Sequence, residues 1–167
     1  LIINKINDKI FIQGENNPDY SGMGTTLSMG IILRDILYYG HVGDSRIYLY
    51  REQKLKQLSK DHSLVNELIE KNKITTNEAF NHPQKNIITQ ALGTNYNLNI
   101  ETRKLELYNK DKLLFCTDGL HDMIRFNEIE EVFNNINNIN DLSNRLGQIA
   151  MNKGGNDNIT LIIIEIN

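Results

Sequence analysis

Residues 25–58 read TTLSMGIILRDILYYGHVGDSRIYLYREQKLKQL, and this stretch decides the fold. Its apolar segments, separated by polar breaks of two to four residues, are Thr25–Leu33, Ile36–Val42, Ile47–Tyr50 and Lys54–Leu58. Parallel neighbours need a crossover of a dozen or more residues, so such short breaks predict antiparallel strands. The stretch is therefore predicted to be a β-meander.

A second antiparallel pair is predicted further along the chain. Leu98–Leu107 alternates apolar and polar residues for most of its length, and the turn Asn109–Asp111 leads into the apolar segment Lys112–Cys116. The isoleucine-rich segment Asn158–Ile166 predicts a last strand that is central and buried. The predicted strands are 25–33, 36–43, 46–51, 54–58, 98–107, 111–117 and 158–166.

Helical spacing of apolar residues predicts helices near 1–8, 62–71, 127–134 and 140–152, with a short one over Thr76–Phe80. Asp61 or Ser63 is the predicted N-cap of the second of these. Residues 13–24 contain glycine, asparagine and proline and are predicted to be a loop.

Composition excludes several classes of protein. A chain of 167 residues with 40% hydrophobic content predicts one globular domain. The net charge is −3 and no basic run is present, so a nucleic-acid partner is not expected. The longest apolar run, Leu161–Ile164, is too short to span a membrane. The single cysteine, Cys116, indicates a reducing compartment, and we expect a cytoplasmic protein.

Three acidic residues adjoin predicted strand ends: Asp44, Asp118 and Asp157. Asp122 follows Asp118 by four residues, so a helix there would place both carboxylates on one face. Oxygen donors without thiolates favour magnesium or manganese over zinc. Each acid also lies near glycine or asparagine, which is ordinary turn chemistry, so a purely structural role stays open.

The histidines are weaker candidates. His62 is expected to have a structural role at a helix start. His121 lies between Asp118 and Asp122, where it could approach a metal, but it is expected to face solvent. His41 lies inside a predicted strand with no evident partner.

Six short motifs, taken together, resemble those of the metal-dependent protein phosphatases of type 2C, most closely the bacterial branch. They are Gly22–Leu27, Val42–Tyr48, Leu58–Ser63, Ile88–Gly93, Thr117–Leu120 and Asp157–Thr160. They occur in the family's order and spacing and cover the chain from Gly22 onward.

The resemblance implies an α+β fold, an α/β/β/α sandwich of two antiparallel sheets flanked by helices. It implies hydrolysis of phosphoserine and phosphothreonine with two or three Mn²⁺ or Mg²⁺ ions, on phosphoproteins made by a Ser/Thr kinase. Asp118 and Asp157 match the core metal ligands, and Asp44, Asp118 and Asp122 match the third-metal site. Gly119 is assigned to the same metal site, and residues 62–85 match the helical flap.

One family segment, of the type Asp-Gly-x-Gly-Gly-His, is absent from this chain. In the family it supplies a bridging aspartate and a histidine, so this chain carries no catalytic residues beyond metal ligands. The domain over 1–167 is therefore expected to lack its N-terminal strands, to be inactive in isolation and to self-associate. Two alternatives are a non-catalytic, truncated phosphatase-like binding module and a small-molecule phosphohydrolase.

Overall fold

The computed structural model describes residues 2–167. Its helices are α1 (Ile2–Asn16), α2 (Leu64–Glu70), α3 (Thr76–Phe80), α4 (Asp118–His121), α5 (Phe126–Asn135) and α6 (Ile139–Asn152). Its strands are β1 (Leu27–Leu33), β2 (Ile36–Val42), β3 (Arg46–Arg51), β4 (Lys54–Gln57), β5 (Glu101–Glu106), β6 (Lys112–Cys116) and β7 (Leu161–Glu165). None of the helices in residues 2–167 combines the length and the apolar character needed to cross a membrane.

The strands form two antiparallel sheets accompanied by helices, which confirms the predicted fold class. One sheet has the order β1–β2–β5 and the other the order β4–β3–β6–β7. In the four-stranded sheet, Cys116 of β6 lies opposite Arg46 of β3 on one side and Leu161 of β7 on the other. The ends of β6 and β7 that face the acidic segments therefore lie side by side.

The chain divides into two compact units, which are described separately. The first contains residues 2–30, 39–44 and 61–103. Its buried cluster is formed by Ile3, Val42 and Leu92, with partly buried neighbours that include Ile10 and Leu27. Helix α1 and the segment around Leu92 thus pack with the end of β2.

The second unit contains residues 31–38, 45–60 and 104–167, including the whole four-stranded sheet. Helices α4, α5 and α6 contribute to one apolar cluster with side chains of this sheet. Its fully or nearly buried members are Tyr48, Leu55, Leu114, Cys116, Leu120, Ile124, Ile129, Phe133, Leu142, Leu146 and Ala150. This cluster packs beneath the end of the sheet where β6 ends and α4 begins.

Helix α1 is longer than predicted, because it continues through Gly14 to Asn16 instead of ending near residue 8. Residue 1 of the predicted helix lies outside the described residues. The predicted loop over 13–24 is wrong in its first part. A Cβ on Gly14 would lie 3.2 Å from the carbonyl oxygen of Tyr20, so the following 3-10 turn, Pro18–Tyr20, packs closely on this helical residue. Tertiary packing here outweighs the low helix propensity of glycine.

The last strand is not central. Strand β7 lies at an edge of its sheet, and the side chain of Ile162 is 57% exposed. The isoleucine-rich sequence of β7 reflects β propensity and packing of one face on α6, and not burial of both faces. Strands β1, β5 and β7 are also shorter than predicted, because the first residues of each predicted segment do not join the sheet.

Candidate functional site

Asp118 and Asp157 lie next to two neighbouring strands, at the same end of the four-stranded sheet. Asp118 follows β6 and Asp157 precedes β7, and these two strands are antiparallel partners. Beyond the last strand pair, Thr117 N–H donates to Thr160 O (3.0 Å), and Thr117 Oγ1 donates to Asn158 O (3.2 Å). These bonds keep the two acidic segments together beyond the sheet.

Gly119 allows the two segments to come into direct backbone contact. A Cβ at this position would lie 2.3 Å from Asn158 O and 3.3 Å from Asp157 O. Real Cβ atoms do not approach a carbonyl oxygen so closely, so any larger residue would push the segments apart. Glycine is therefore the residue that fits at this position without displacing the Asp157 segment.

Neither of these two carboxylates is neutralised by a side chain of the described residues. Asp118 Oδ1 accepts from Gly119 N–H (2.9 Å), and Asp157 Oδ1 accepts from Asn158 N–H (2.6 Å). Within residues 2–167, neither aspartate forms an ion pair with Lys, Arg or His. The backbone segments of these two carboxylates are in contact, and no cationic side chain lies beside either of them. Carboxylate oxygens are the ligands that a hard divalent cation prefers.

Asp122 lies one helical turn beyond Asp118. Its N–H donates to the carbonyl oxygen of Asp118 (2.8 Å) at the end of α4, so the helical relation holds. His121 Nδ1 lies 3.4 Å from Asp122 Oδ1. The prediction that His121 faces solvent is wrong, because α4 is enclosed and His121 is only 5% exposed.

Asp44 belongs to the first unit, where it follows the end of β2, and it is buried. Gly43 before it has a φ of +107°, a conformation that favours glycine. Two histidines hold this glycine: Gly43 N–H donates to His62 Nδ1 (3.1 Å), and His41 Nε2 donates to Gly43 O (2.9 Å). His41 has no evident partner in the sequence, where only its position inside an apolar strand singles it out.

The described residues do not by themselves form a complete metal site. Over residues 2–167, no three or more His, Cys, Asp or Glu side chains are grouped so that they could hold a metal ion. The site that the structure displays is the contact of the Asp118 and Asp157 segments.

Comparisons with known proteins agree on one family. The family described as "Protein phosphatase 2C" matches residues 3–153. The chain is 36% identical over 165 residues to the serine/threonine phosphatase stp of Listeria welshimeri, covering 99% of this chain and 66% of that protein. The chain thus spans slightly less than two thirds of that curated relative.

Solved structures give the same result. Serine/threonine phosphatase Stp1 from Staphylococcus aureus superposes with a TM-score of 0.93 at 34% identity, over 99% of this chain and 65% of that one. The catalytic domain of the serine/threonine protein phosphatase PstP, solved with two manganese ions, gives 0.85 at 33% identity, over 95% of this chain and 66% of that one.

Proposed function

This chain belongs to the protein phosphatase 2C family, and from that premise we propose that the protein hydrolyses phosphoserine and phosphothreonine in a metal-dependent reaction. The observation that carries the proposal is the contact of the Asp118 and Asp157 segments across Gly119. Both carboxylates lack an ion-pair partner within residues 2–167. A divalent cation is the chemical group that such a pair can accommodate.

We assign Asp118 and Asp157 as ligands of Mn²⁺ or Mg²⁺, with Gly119 as the residue that lets their segments meet. On the motif resemblance alone, we also propose Asp44 and Asp122, together with Asp118, as ligands of a third ion. In a related PstP domain, two manganese ions are present. A bound divalent ion supplies Lewis acidity and lowers the pKa of coordinated water, which provides a nucleophile at neutral pH.

The residues of this chain supply charge and orientation. Asp118 is the first residue of α4, and its backbone is fixed by the Asp122 N–H and by β6 before it. The Asp157 segment is fixed by the Thr117 side chain through Asn158 O. The backbone segments that carry both aspartates are thus held in place before any ligand binds, which limits the backbone reorganisation needed on binding.

The test uses the intact protein, with the Asp118→Asn variant and a phosphothreonine peptide. We expect Mn²⁺-dependent hydrolysis that EDTA abolishes, and a loss of at least about 100-fold in Asp118→Asn, because one charged ligand becomes neutral. Direct Mn²⁺ titration by calorimetry should show weaker binding in the same variant. The matched control is Asp141→Asn, an exposed position in the first turn of α6, which should leave both quantities unchanged.

Undiminished hydrolysis in EDTA would contradict the proposal. Hydrolysis of a generic phosphate ester but of no phosphopeptide would favour a small-molecule phosphohydrolase. Phosphoprotein binding without turnover by the intact protein would favour the non-catalytic module.

Several features around the site are proposals on the same premise. We propose that the substrates are proteins that a Ser/Thr kinase has phosphorylated. We also propose that the protein is cytoplasmic and that residues 1–167 form one domain. Residues 62–85, which contain α2 and α3, are proposed as its flap. Self-association of the isolated chain is supported by two edge strands: β1 exposes Ile31 (50%) and Leu33 (60%), and β7 exposes Ile162 (57%).

A further inference from the structure

Two histidines in the first unit, His41 and His62, have no part in the proposed chemistry, yet both are buried. Their ring centroids lie 5.3 Å apart. Removing imidazoles from water is costly unless hydrogen bonds compensate. The partners of these rings therefore indicate what the histidines do.

Three of their hydrogen bonds are made to Gly43. Its N–H donates to His62 Nδ1 (3.1 Å), and its carbonyl oxygen accepts from the His62 backbone N–H (2.8 Å) and from His41 Nε2 (2.9 Å). Ser28 Oγ lies 2.8 Å from the other ring nitrogen of His41. Both polar backbone groups of Gly43 are thus tied to histidines from separate segments of the chain.

The hydrogen bonds define where the ring protons lie. A carbonyl oxygen can only accept, so His41 carries a proton on Nε2. A backbone N–H can only donate, so His62 Nδ1 is unprotonated and its proton lies on Nε2. This geometry assigns both rings to the form with a proton on Nε2.

Gly43 needs such external support. A Cβ there would lie 2.4 Å from Thr26 Cγ2, and the φ of +107° also excludes other residues. Glycine is conformationally permissive, so it does not by itself fix the direction of the chain. Its carbonyl shares a planar peptide unit with the nitrogen of Asp44, so fixing that carbonyl fixes the start of Asp44.

We propose that His41 and His62 are positioning residues that lock the Gly43 peptide and thereby fix the backbone of Asp44, whose carboxylate is proposed above as a ligand of a divalent cation. The inference rests on the proposed function, because it takes Asp44 as a metal ligand. Partners that orient a ligand typically change metal affinity by about 10–100-fold when they are mutated.

Pairs of variants separate the effect of losing a hydrogen bond from the effect of changing the side-chain volume. In His62→Asn, the amide oxygen can replace Nδ1 as acceptor, whereas His62→Leu removes the acceptor. In His41→Gln, the amide nitrogen can replace Nε2 as donor, whereas His41→Asn is too short to reach. His82→Leu is the control, since it loses a similar bond, from Gln84 N–H to His82 Nδ1 (3.1 Å), away from Gly43.

The measurements use the intact protein, first without metal. In nitrogen-15 NMR spectra, both histidines should show the Nε2-protonated form. Amide exchange of Gly43 should be about fivefold to tenfold faster in His62→Leu and unchanged in His62→Asn and His82→Leu. A wild-type His62 protonated on Nδ1 would overturn the proposal without any variant having to fold.

Mn²⁺ titration by calorimetry then tests the consequence. We expect the weakest of the Mn²⁺ binding events to lose about tenfold in affinity in His62→Leu and His41→Asn, as it should in Asp44→Asn. In His62→Asn and His41→Gln, which keep the hydrogen bonds, the affinity should stay near that of the wild type. If only Asp44→Asn weakens binding, the positioning role is wrong and the proposed function stands. If Asp44→Asn also has no effect, Asp44 is not a ligand, and its positioning by the histidines is refuted, while the test on Asp118 still decides the phosphatase proposal.

Discussion

Gly119 is the residue on which the approach of Asp118 to Asp157 depends. Alanine at this position would place a methyl group 2.3 Å from the backbone oxygen of Asn158, which cannot move without shifting the entry to β7. We expect Gly119→Ala to lower the free energy of unfolding by about 1–3 kcal/mol, as overpacking commonly does. Urea unfolding measures this change, and Mn²⁺-dependent hydrolysis by the intact protein should be lost with it.

Gly147 offers the matched control for this substitution. It lies within α6, and a Cβ there would meet no atom within 4 Å apart from its chain neighbours and the backbone of its own helix. Gly147→Ala should therefore raise the free energy of unfolding by about 0.5–1 kcal/mol, because alanine favours the helix. A Gly119→Ala variant as stable as wild type would show that the close backbone contact does not exist.

Helix α5 is tied to α6 by a carboxylate at its first turn. Glu128 accepts from Lys153 Nζ at 2.6 and 2.7 Å and from Arg125 N–H at 2.9 Å. The hydrogen bonds from Lys153 and from this backbone N–H lower the pKa of Glu128 below its usual value of 4.5. A depressed carboxyl pKa stabilises the fold above the unfolded-state pKa, and this contribution is lost as pH falls through the folded-state pKa.

We therefore expect Glu128→Gln to lower the free energy of unfolding by about 0.5 kcal/mol at pH 7, a small effect because solvent screens the half-exposed pair. The difference from wild type should shrink as pH falls below about 4.5. Urea unfolding at pH 7 and pH 3 measures it. A difference between Glu128→Gln and wild type that stays constant between the two pH values would contradict the linkage.

For the whole molecule, the motif resemblance implies a bridging carboxylate in an Asp-Gly-x-Gly-Gly-His segment, and residues 1–167 contain no such segment. Two cations at short separation repel each other strongly without a shared anionic ligand. We expect purified chain 1–167 to show no turnover with Mn²⁺ and to form dimers or larger species by light scattering, since β1 and β7 are exposed edges. Robust phosphatase turnover by this chain alone would refute our account of the catalytic site.

Local patterns were sufficient for most elements. The alternation and short breaks over 25–58 predicted β1 to β4, and helical spacing predicted α2, α5 and α6 within a few residues. The side chain of Ser63 accepts from Asn66 N–H, as one of the two predicted caps requires. These features depend on neighbours in sequence, so the sequence contains their physical cause.

The sequence by itself determined the family, the antiparallel strands and the identity of the acidic candidates, because each rests on local spacing or on short motifs. Only the tertiary structure decided that α1 continues past Gly14, that β7 is an edge strand, and that His121 is buried. It alone brought Gly119 against Asn158 and tied His41 and His62 to Gly43. Those outcomes depend on contacts between segments distant in the chain, and such contacts leave no periodicity in the sequence from which they could be predicted.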